Sequence, residues 1–511
     1  MAGQVVIRAD ADSRIGIGHM MRCMALAQAF KEKGIRVTFI SRCPEDRLRN
    51  SITRGGFGFI PVERPFPEPA DLVLTLNTLK ELEGSNGGRE PVCLILDGYH
   101  FQPDYHRAIR NEGFLLIVID DMAHVDYYHT DILINYNVHA LWFKYACDKD
   151  TLKLLGTEYT LLRNDFSRFR DWNRHIPEKA KNIVITFGGS EKRDLTRKVL
   201  EAFKRIGDED LNVIALTGEE DVRGDFSQMA GDMSLSHVKL LPYVDDMPSL
   251  LSWADLAVSA CGVTSLEAAF MGLPSIVITV EKNQEGIGER LQDLRVAQHL
   301  GEMEDIDPEF LAGSICDLIR NQACRREMSE NGRKLVDGKG SERVCTLIHS
   351  LGGGEIDVEK HIRMADNKDC LPLWRLANDR GVRQNSFSSD PIPLKTHTLW
   401  FENRLKSLDD LFFVLDIGGQ ICGQIRYSKE GDEASVHFSL APVFRGRGLA
   451  RKMIVCTWKK ACIQLGIKNI KGVVKESNVP SIRTFRNAGF IRDGRIYVSG
   501  EASMVFRKAC Q

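Results

Sequence analysis

Short apolar runs closed by polar residues recur along the first two-thirds of the chain. Val5-Val6-Ile7, Cys93–Leu96, Leu115–Ile119 and Ile132–Ile134 have the length and unbroken apolarity of strands buried on both faces, and Ile35–Ile40, interrupted by Arg36 and Thr38, reads as a further strand. Between them lie helical stretches such as the alanine-rich Cys23–Phe30, and Gly34 reads as a helix stop. A second series begins at Asn182, with Ile183–Phe187, Val213–Leu216, Leu256–Ala260 and Ser275–Ile278. Alternation of this kind predicts two parallel sheets, each covered by helices. Residues 63–90, rich in Pro, Glu and Gly, predict a helix plus surface loop. Near residue 356 the pattern changes. Phe412–Leu415 and Gln420–Ile425 flank Asp416-Ile417-Gly418-Gly419 as a hairpin, Ser435–Leu440 alternates as a strand, and a helix is predicted over Arg451–Leu465.

The expected architecture is α/β: two Rossmann-like domains over 1–165 and 166–350, then a smaller α+β domain over 356–511. Lys339–Glu355 is the candidate boundary, with Leu351-Gly352-Gly353-Gly354 as the linker. Composition fits several cores, since 43% of the 511 residues are hydrophobic and 27% charged. Charge is uneven. From Ile356 onward there are 26 basic against 16 acidic residues, and before it 42 against 54. A basic third unit points to an anionic ligand. Nucleic acid is set aside because no basic–aromatic run or binding motif is present. The 13 cysteines are scattered with no Cys-x-x-Cys pair, which argues for free thiols in a reducing cytosol. No secretory signal and no apolar run of 18 residues is seen, so a cytoplasmic protein without a membrane span is expected.

The candidate chemistry sits where strands end. The first strand runs into Arg8-Ala9-Asp10 and then Gly16-Ile17-Gly18-His19-Met20-Met21-Arg22. Gly16 and Gly18 permit close backbone approach, the helix start suits phosphate, and His19 sets an imidazole at the mouth of the site. Met21 takes the place of the third glycine of a dinucleotide fingerprint, and a plain β–α turn is the competing reading. Asp97 and Tyr99 end another strand, and an Asp or His there could activate water. Gly188-Gly189-Ser190 follows the first strand of the second series and either cradles phosphate or is a turn. Ser259-Ala260-Cys261-Gly262-Val263-Thr264 leads into a helix carrying Glu267; small residues admit a diphosphate, and Glu267 could accept from a ribose. Asn283 and Gln284 follow the next strand. Asp120, Asp121 and Asp131 fit no metal geometry, and no metal is expected. In the third unit Arg445-Gly446-Arg447-Gly448-Leu449-Ala450 lies between a strand and a helix, so its N–H groups can wrap a pyrophosphate, with Asn478 and Ser481 about thirty residues on.

Taken in order, these motifs resemble the UDP-sugar hydrolase of pseudaminic acid biosynthesis, a relative of MurG-type glycosyltransferases with two Rossmann-like domains in a GT-B arrangement. The likeness rests on Arg8–Ala11 with Ile15–Cys23, Leu96–Tyr99, Leu155–Tyr159 with Leu161–Arg163, Phe187–Ser190, Ser259–Thr264 with Glu267, and Asn283-Gln284. Cys261 departs from the usual second glycine, and Glu191 from the usual Asp. The resemblance implies hydrolysis of UDP-2,4-diacetamido-2,4,6-trideoxy-β-L-altropyranose to UDP and free sugar. His19 would assist water, Asp10, Gly16, Gly18, Arg22, Asp97 and Tyr99 would contact substrate, and the second-domain loops would bind UDP without a cofactor.

Residues 356–511 resemble the GCN5-related N-acetyltransferases. Leu373-Trp374-Arg375, Asn378-Asp379, Val382-Arg383, Ser386-Phe387, His397 and Trp400-Phe401 are similar to the amino-sugar acetyltransferase of the same pathway. That implies transfer from acetyl-CoA to the 4-amino group of the UDP-sugar, whose product the hydrolase consumes. Many members of the superfamily carry a tyrosine seven residues after the motif asparagine; here it is Phe485, which leaves Tyr497 or water as proton donor. Two alternatives stand beside this reading: a glycosyltransferase with a non-water acceptor, and a third unit that binds acyl-CoA without chemistry.

Overall fold

The computed structural model describes residues 3–11, 18–85, 91–187, 193–217 and 237–510, with the side chains of Arg193 and Asn283 left aside. Two compact units divide between Cys345 and Thr346.

The first unit holds two all-parallel sheets. In one the strands are β1 (Gln4–Ala9), β2 (Arg36–Ser41), β3 (Gly58–Pro61), β4 (Val92–Asp97), β5 (Leu115–Ile119), β6 (Ile132–Asn135) and β7 (Leu152–Leu155), in the order β3-β2-β1-β4-β5-β6-β7. In the other they are β8 (Asn182–Thr186), β9 (Asn212–Leu216), β10 (Val238–Leu241), β11 (Leu256–Ala260), β12 (Ser275–Thr279) and β13 (Ala297–Glu302), in the order β10-β9-β8-β11-β12-β13. The central strands β1, β4 and β11 are buried along their whole length, which is why they read as unbroken apolar runs. Strand order reverses between β1 and β4, and again between β8 and β11. Loops leaving the carboxyl ends of such neighbours diverge to opposite faces and open a crevice. The register sets Ala9 opposite Asp97, so the loops after β1 and β4 start side by side.

Residues 63–90 contain the helix Pro69–Ser85. The expected boundary stretch is mostly helix, Gly340–Leu351. Val344, Cys345, Leu347, Ile348 and Leu351 form its buried stripe at helical spacing, a pattern that outweighs the glycines after it.

The second unit is built on a mixed sheet of β14 (Ile362–Met364), β15 (Asp410–Ile417), β16 (Gln420–Glu430), β17 (Glu433–Leu440), β18 (Asn469–Lys475), β19 (Ile491–Val498) and β20 (Glu501–Ala509), in the order β14-β15-β16-β17-β18-β20-β19. β15 and β16 form the expected hairpin, turning at Gly418 and Gly419, both at positive φ. β17 and β18 pair in parallel over Glu433–Ser435 and Asn469–Lys471 and then part. Cys462, near the end of the helix Leu449–Leu465, is disulfide-bonded to Cys510. This corrects the expectation of free thiols throughout: 48 residues separate the pair, and only the return of the chain through β20 brings them together. No described helix is long and apolar enough to cross a membrane.

Candidate active sites

The helix Gly18–Glu32 begins beside the crevice of the first sheet, and His19 and Arg22 stand one turn apart on its inner face. Both reach Asp97 at the end of β4. His19 Nδ1 lies 2.6 Å from Asp97 Oδ1. Arg22 donates from Nε to Asp97 Oδ2 at 2.6 Å and from a terminal nitrogen to Oδ1 at 2.5 Å. Burial alone would raise the Asp97 carboxyl, but the Arg22 charge and the imidazole hold it well below the usual carboxylate range. An ionised Asp97 needs a proton on Nδ1, which leaves the Nε2 lone pair as the basic nitrogen of His19. The 3.0 Å approach of Arg22 to Nδ1 then reflects two donors sharing one carboxylate oxygen. Arg22 also donates to Asp121 at 2.9 Å, and Tyr99 donates to the other Asp121 oxygen at 2.5 Å. The Tyr99 ring meets His19 edge-on at 5.0 Å. His19 thus rests among polar partners and is 7% exposed.

Asp10 is placed differently. Its carboxylate is buried, pairs with both terminal nitrogens of Arg8 and accepts the Arg42 N–H at 2.7 Å. Arg8 also binds Asp71, which accepts from Tyr105 at 3.0 Å. Burial opposes charge on Asp10, yet His100 and Arg8 bring its carboxyl down to about 2. With its oxygens so engaged, Asp10 anchors the loop after β1. Sequence reading did not single out Asp71, which no motif marks. A Cβ at Gly18 would meet nothing within 4 Å. Gly16 lies outside the described residues, as do Gly188, Gly189 and Ser190. Asp120 and Asp131 serve local contacts with His124 and Arg110, and among the described residues no group of three His, Cys, Asp or Glu could hold a metal ion.

In the second lobe β11 ends at Ala260, and the helix Val263–Phe270 starts from Gly262 without a side-chain cap. Ser265 Oγ donates to the Gly262 carbonyl at 2.6 Å. Ser259 is buried with no partner for its hydroxyl, and Thr264 is half-buried at the helix start. Cys261 is fully buried against Thr279, and burial pushes its thiol up to about 12, so it acts as a neutral spacer. Glu267 is 9% exposed, and no hydrogen bond to its carboxylate is made by a described residue. Burial raises it to about 7, against the opposing charge of Arg163. Gln284 accepts the Val280 N–H at 3.0 Å, and a Cβ on Gly262 would come 3.8 Å from its amide nitrogen. Asn283 lies in the short turn Lys282–Gln284. The two lobes touch near both sites: Gly286, at φ +76°, admits His139 and Trp142, each 3.2 Å from where its Cβ would lie.

In the second unit the loop after β17 holds Gly446 at φ +78° and Gly448 at φ +71°, where a Cβ would point into open space. Gly448 starts the helix Leu449–Leu465, again without a side-chain cap, and Ala450 is buried in its first turn. The backbone therefore offers N–H groups at an uncapped helix start, a setting suited to a phosphate or pyrophosphate. The arginine side chains are engaged elsewhere: Arg445 with Asp379 and the Leu440 carbonyl, Arg447 with the carbonyls of Ser350 at 2.5 Å and Leu351 at 2.9 Å. Asn478 caps the helix Val479–Asn487 by accepting the Ser481 N–H. Phe485 is a core residue stacked on Phe506, while Tyr497 is 70% exposed on the outermost strand. A cavity of about 260 Å³ lies between helices and sheet, lined by Leu373, Trp400, Phe412, His397, Gln424 and Ser439 among others. Sequence reading found His397 and Trp400 only by likeness and missed Gln424 and Ser439, whose facing positions on β16 and β17 are set by register.

Residues 182–340 match the glycosyltransferase family 28 C-terminal domain, and residues 361–491 match the acetyltransferase (GNAT) domain. An uncharacterised protein of Methanocaldococcus jannaschii is 23% identical over 506 residues, 95% of this chain and 96% of its own. The spore coat polysaccharide biosynthesis protein SpsG of Bacillus subtilis is 23% identical over 354 residues, covering 69% of this chain and 99% of its own. The UDP-N-acetylglucosamine–N-acetylmuramyl-(pentapeptide) pyrophosphoryl-undecaprenol N-acetylglucosamine transferase of Halorhodospira halophila is 26% identical over 185 residues, 35% of this chain and 50% of its own. Among solved structures, Acinetobacter baumannii MurG aligns over 68% of this chain and 99% of its own, at 16% identity and a TM-score of 0.48. The chain thus joins two Rossmann-type parallel-sheet domains, the second of which matches the family 28 glycosyltransferase model, to a domain that matches the acetyltransferase (GNAT) model.

Proposed function

We propose that residues 1–345 hydrolyse a UDP-activated 2,4-diacetamido-2,4,6-trideoxyhexose of the pseudaminic acid type, and that the GNAT domain N-acetylates its 4-amino precursor. The observation that carries the hydrolase reading is the buried pair of Asp97 with His19 at the strand-order switch. Asp97 fixes the imidazole with Nε2 basic. Nε2 takes a proton from water as the water oxygen bonds to the anomeric carbon, and the bond from that carbon to the UDP oxygen breaks. Arg22 neutralises Asp97, so that Asp97 orients the ring without taking its proton. The departing diphosphate is met by the uncapped helix start at Gly262–Val263, and Glu267 accepts from the ribose hydroxyls.

In the GNAT domain the uncapped start at Gly448–Ala450 would hold acetyl-CoA, which supplies the activated acetyl group, and the cavity beside Trp400 and Phe412 takes the amine. The amine nitrogen bonds to the acetyl carbonyl carbon and gives up one proton to solvent as the carbon–sulfur bond breaks. Phe485 has no proton to give, so the thiolate draws one from solvent. No described helix is long and apolar enough to span a membrane, and cytoplasmic work on soluble sugar nucleotides agrees with that.

The family 28 match favours one second reading, transfer of the sugar to an acceptor other than water. Incubation of a panel of 4-amino and 4-acetamido UDP-sugars with acetyl-CoA, followed by mass spectrometry, tests both. Release of UDP and free sugar without acceptor is expected; a donor that stays intact over long incubation would establish the transferase.

A further inference from the structure

His124 follows β5 in the turn Asp120–His124, where Ala123 is held at φ +54°. Its Nδ1 lies 2.6 Å from Asp120 Oδ2, and its Nε2 lies 3.1 Å from the Phe101 carbonyl. A carboxylate and a carbonyl only accept, so both nitrogens carry protons and the ring is an imidazolium. The two acceptors belong to different loops. Asp120 leaves β5, while Phe101 belongs to the loop after β4, which also carries Tyr99. His124 therefore straps these loops together, and its ring meets Tyr99 edge-on at 5.6 Å. Tyr99 is held between two imidazoles, since its ring also meets His19.

We infer that His124 is a positioning residue of the hydrolytic site: as a cation bridging Asp120 and the Phe101 carbonyl, it sets Tyr99 against His19. The inference rests on the hydrolase reading above. No sequence motif marks His124.

The surroundings support a charged ring. Asp120 is buried and also accepts the Tyr128 hydroxyl and the N–H groups of Met122 and Ala123. From the neighbouring elements His124 is faced by Asp121, Tyr99, Tyr128 and His106, with His129 beyond. His106 is buried with both nitrogens unpartnered, and burial and the positive charge of His124 and His129 push it down to about 4, so it remains neutral and adds no competing charge. Burial would lower His124, but the Asp120 carboxylate outweighs it and the ring stays above its ordinary value. The strap is thus fully present below the ordinary imidazole value and lost as pH rises through the raised value that His124 has in the fold.

The test uses the full chain labelled with carbon-13 histidine. The His124 Cε1–H resonance, assigned by its absence in His124→Gln, should titrate above the free-imidazole value of about 6.5. His124→Gln should move the His19 resonance and lower kcat for UDP release roughly tenfold to a hundredfold, with KM nearly unchanged. It should also remove an alkaline limb from the wild-type kcat profile. Titration of His124 at or below the free value, or a His19 resonance and kcat indifferent to His124→Gln, would overturn the inference. If the wild type releases UDP from no UDP-sugar, the hydrolase reading fails and the resonances alone decide whether His124 positions Tyr99 and His19. If His124→Gln does not fold, Tyr99→Phe and Tyr99→Leu, which keep and remove the ring, assign the His19 shift instead.

Discussion

Asp97 Oδ1 accepts from His19 Nδ1 at 2.6 Å while the same carboxylate receives two donors from Arg22. The acid is thereby kept ionised and the histidine confined to one tautomer. Replacing His19 with Ala should remove the base and cut UDP release by about 10²–10⁴-fold. UDP affinity, measured by calorimetry, should stay within a few-fold, because the diphosphate and ribose contacts proposed above belong to the second lobe. Lost UDP affinity would make His19 a ligand contact.

Asp10 should matter to stability before it matters to turnover. Its carboxyl is brought down to about 2 by His100 and Arg8, so its stabilising effect is present above the ordinary carboxylate value and is lost as pH falls through about 2. Asp10→Asn leaves the Arg8 charge with one partner fewer and should cost about 3 kcal/mol at pH 7 in urea denaturation. A variant as stable as wild type would remove the buried pair from the account.

Glu267 behaves in the opposite sense. Its carboxyl is raised to about 7, so stability is full below the ordinary glutamate value and declines as pH rises towards 7 and ionisation is forced on a buried group. Ribose hydroxyls donating to the carboxylate favour the ionised form, so UDP binding near pH 7 should release protons. Calorimetry in two buffers of different ionisation enthalpy reads that release, and Glu267→Gln should abolish it while weakening UDP. Equal heats in both buffers would exclude Glu267 as the ribose contact.

At Gly448 a side chain meets two obstacles, a left-handed backbone and the space a pyrophosphate would fill. Gly448→Val should raise KM for acetyl-CoA at least tenfold in a thiol-release assay, about 1.4 kcal/mol, and leave UDP release unchanged. A loss of both activities together would point to a broken fold.

Much of this arrangement was legible in the chain, and the misses share causes. The central strands of both parallel sheets read directly because burial on two faces leaves few polar positions, most of them at the strand ends. The edge strands did not: Gly58–Pro61, Leu152–Leu155, Val238–Leu241 and Ala297–Glu302 are short, partly exposed and interrupted by Lys, Pro or Gln. The His19 loop was found from its glycines and its place after a strand. That Arg22 joins it follows from helical spacing, whereas the partnership of Asp97 needed the register of β1 on β4. Asp10 stood out for a strand-end position it shares with functional acids, yet its partner Arg8 is also held by Asp71, brought to it across 63 residues. The Cys462–Cys510 bond stayed hidden for the same reason of distance along the chain.

β17 and β18 stay together for only three residue pairs, and beyond that point neither strand supplies ladder partners to the other. On the acetyl-CoA reading proposed above, a thioester arm carrying its own amides would lie there as though it were a missing strand. Recognition of that sort is written in peptide groups, which every residue but proline supplies alike. Side chains around the gap are therefore at liberty to drift, and a sheet of this design can change its acceptor while keeping its acyl donor.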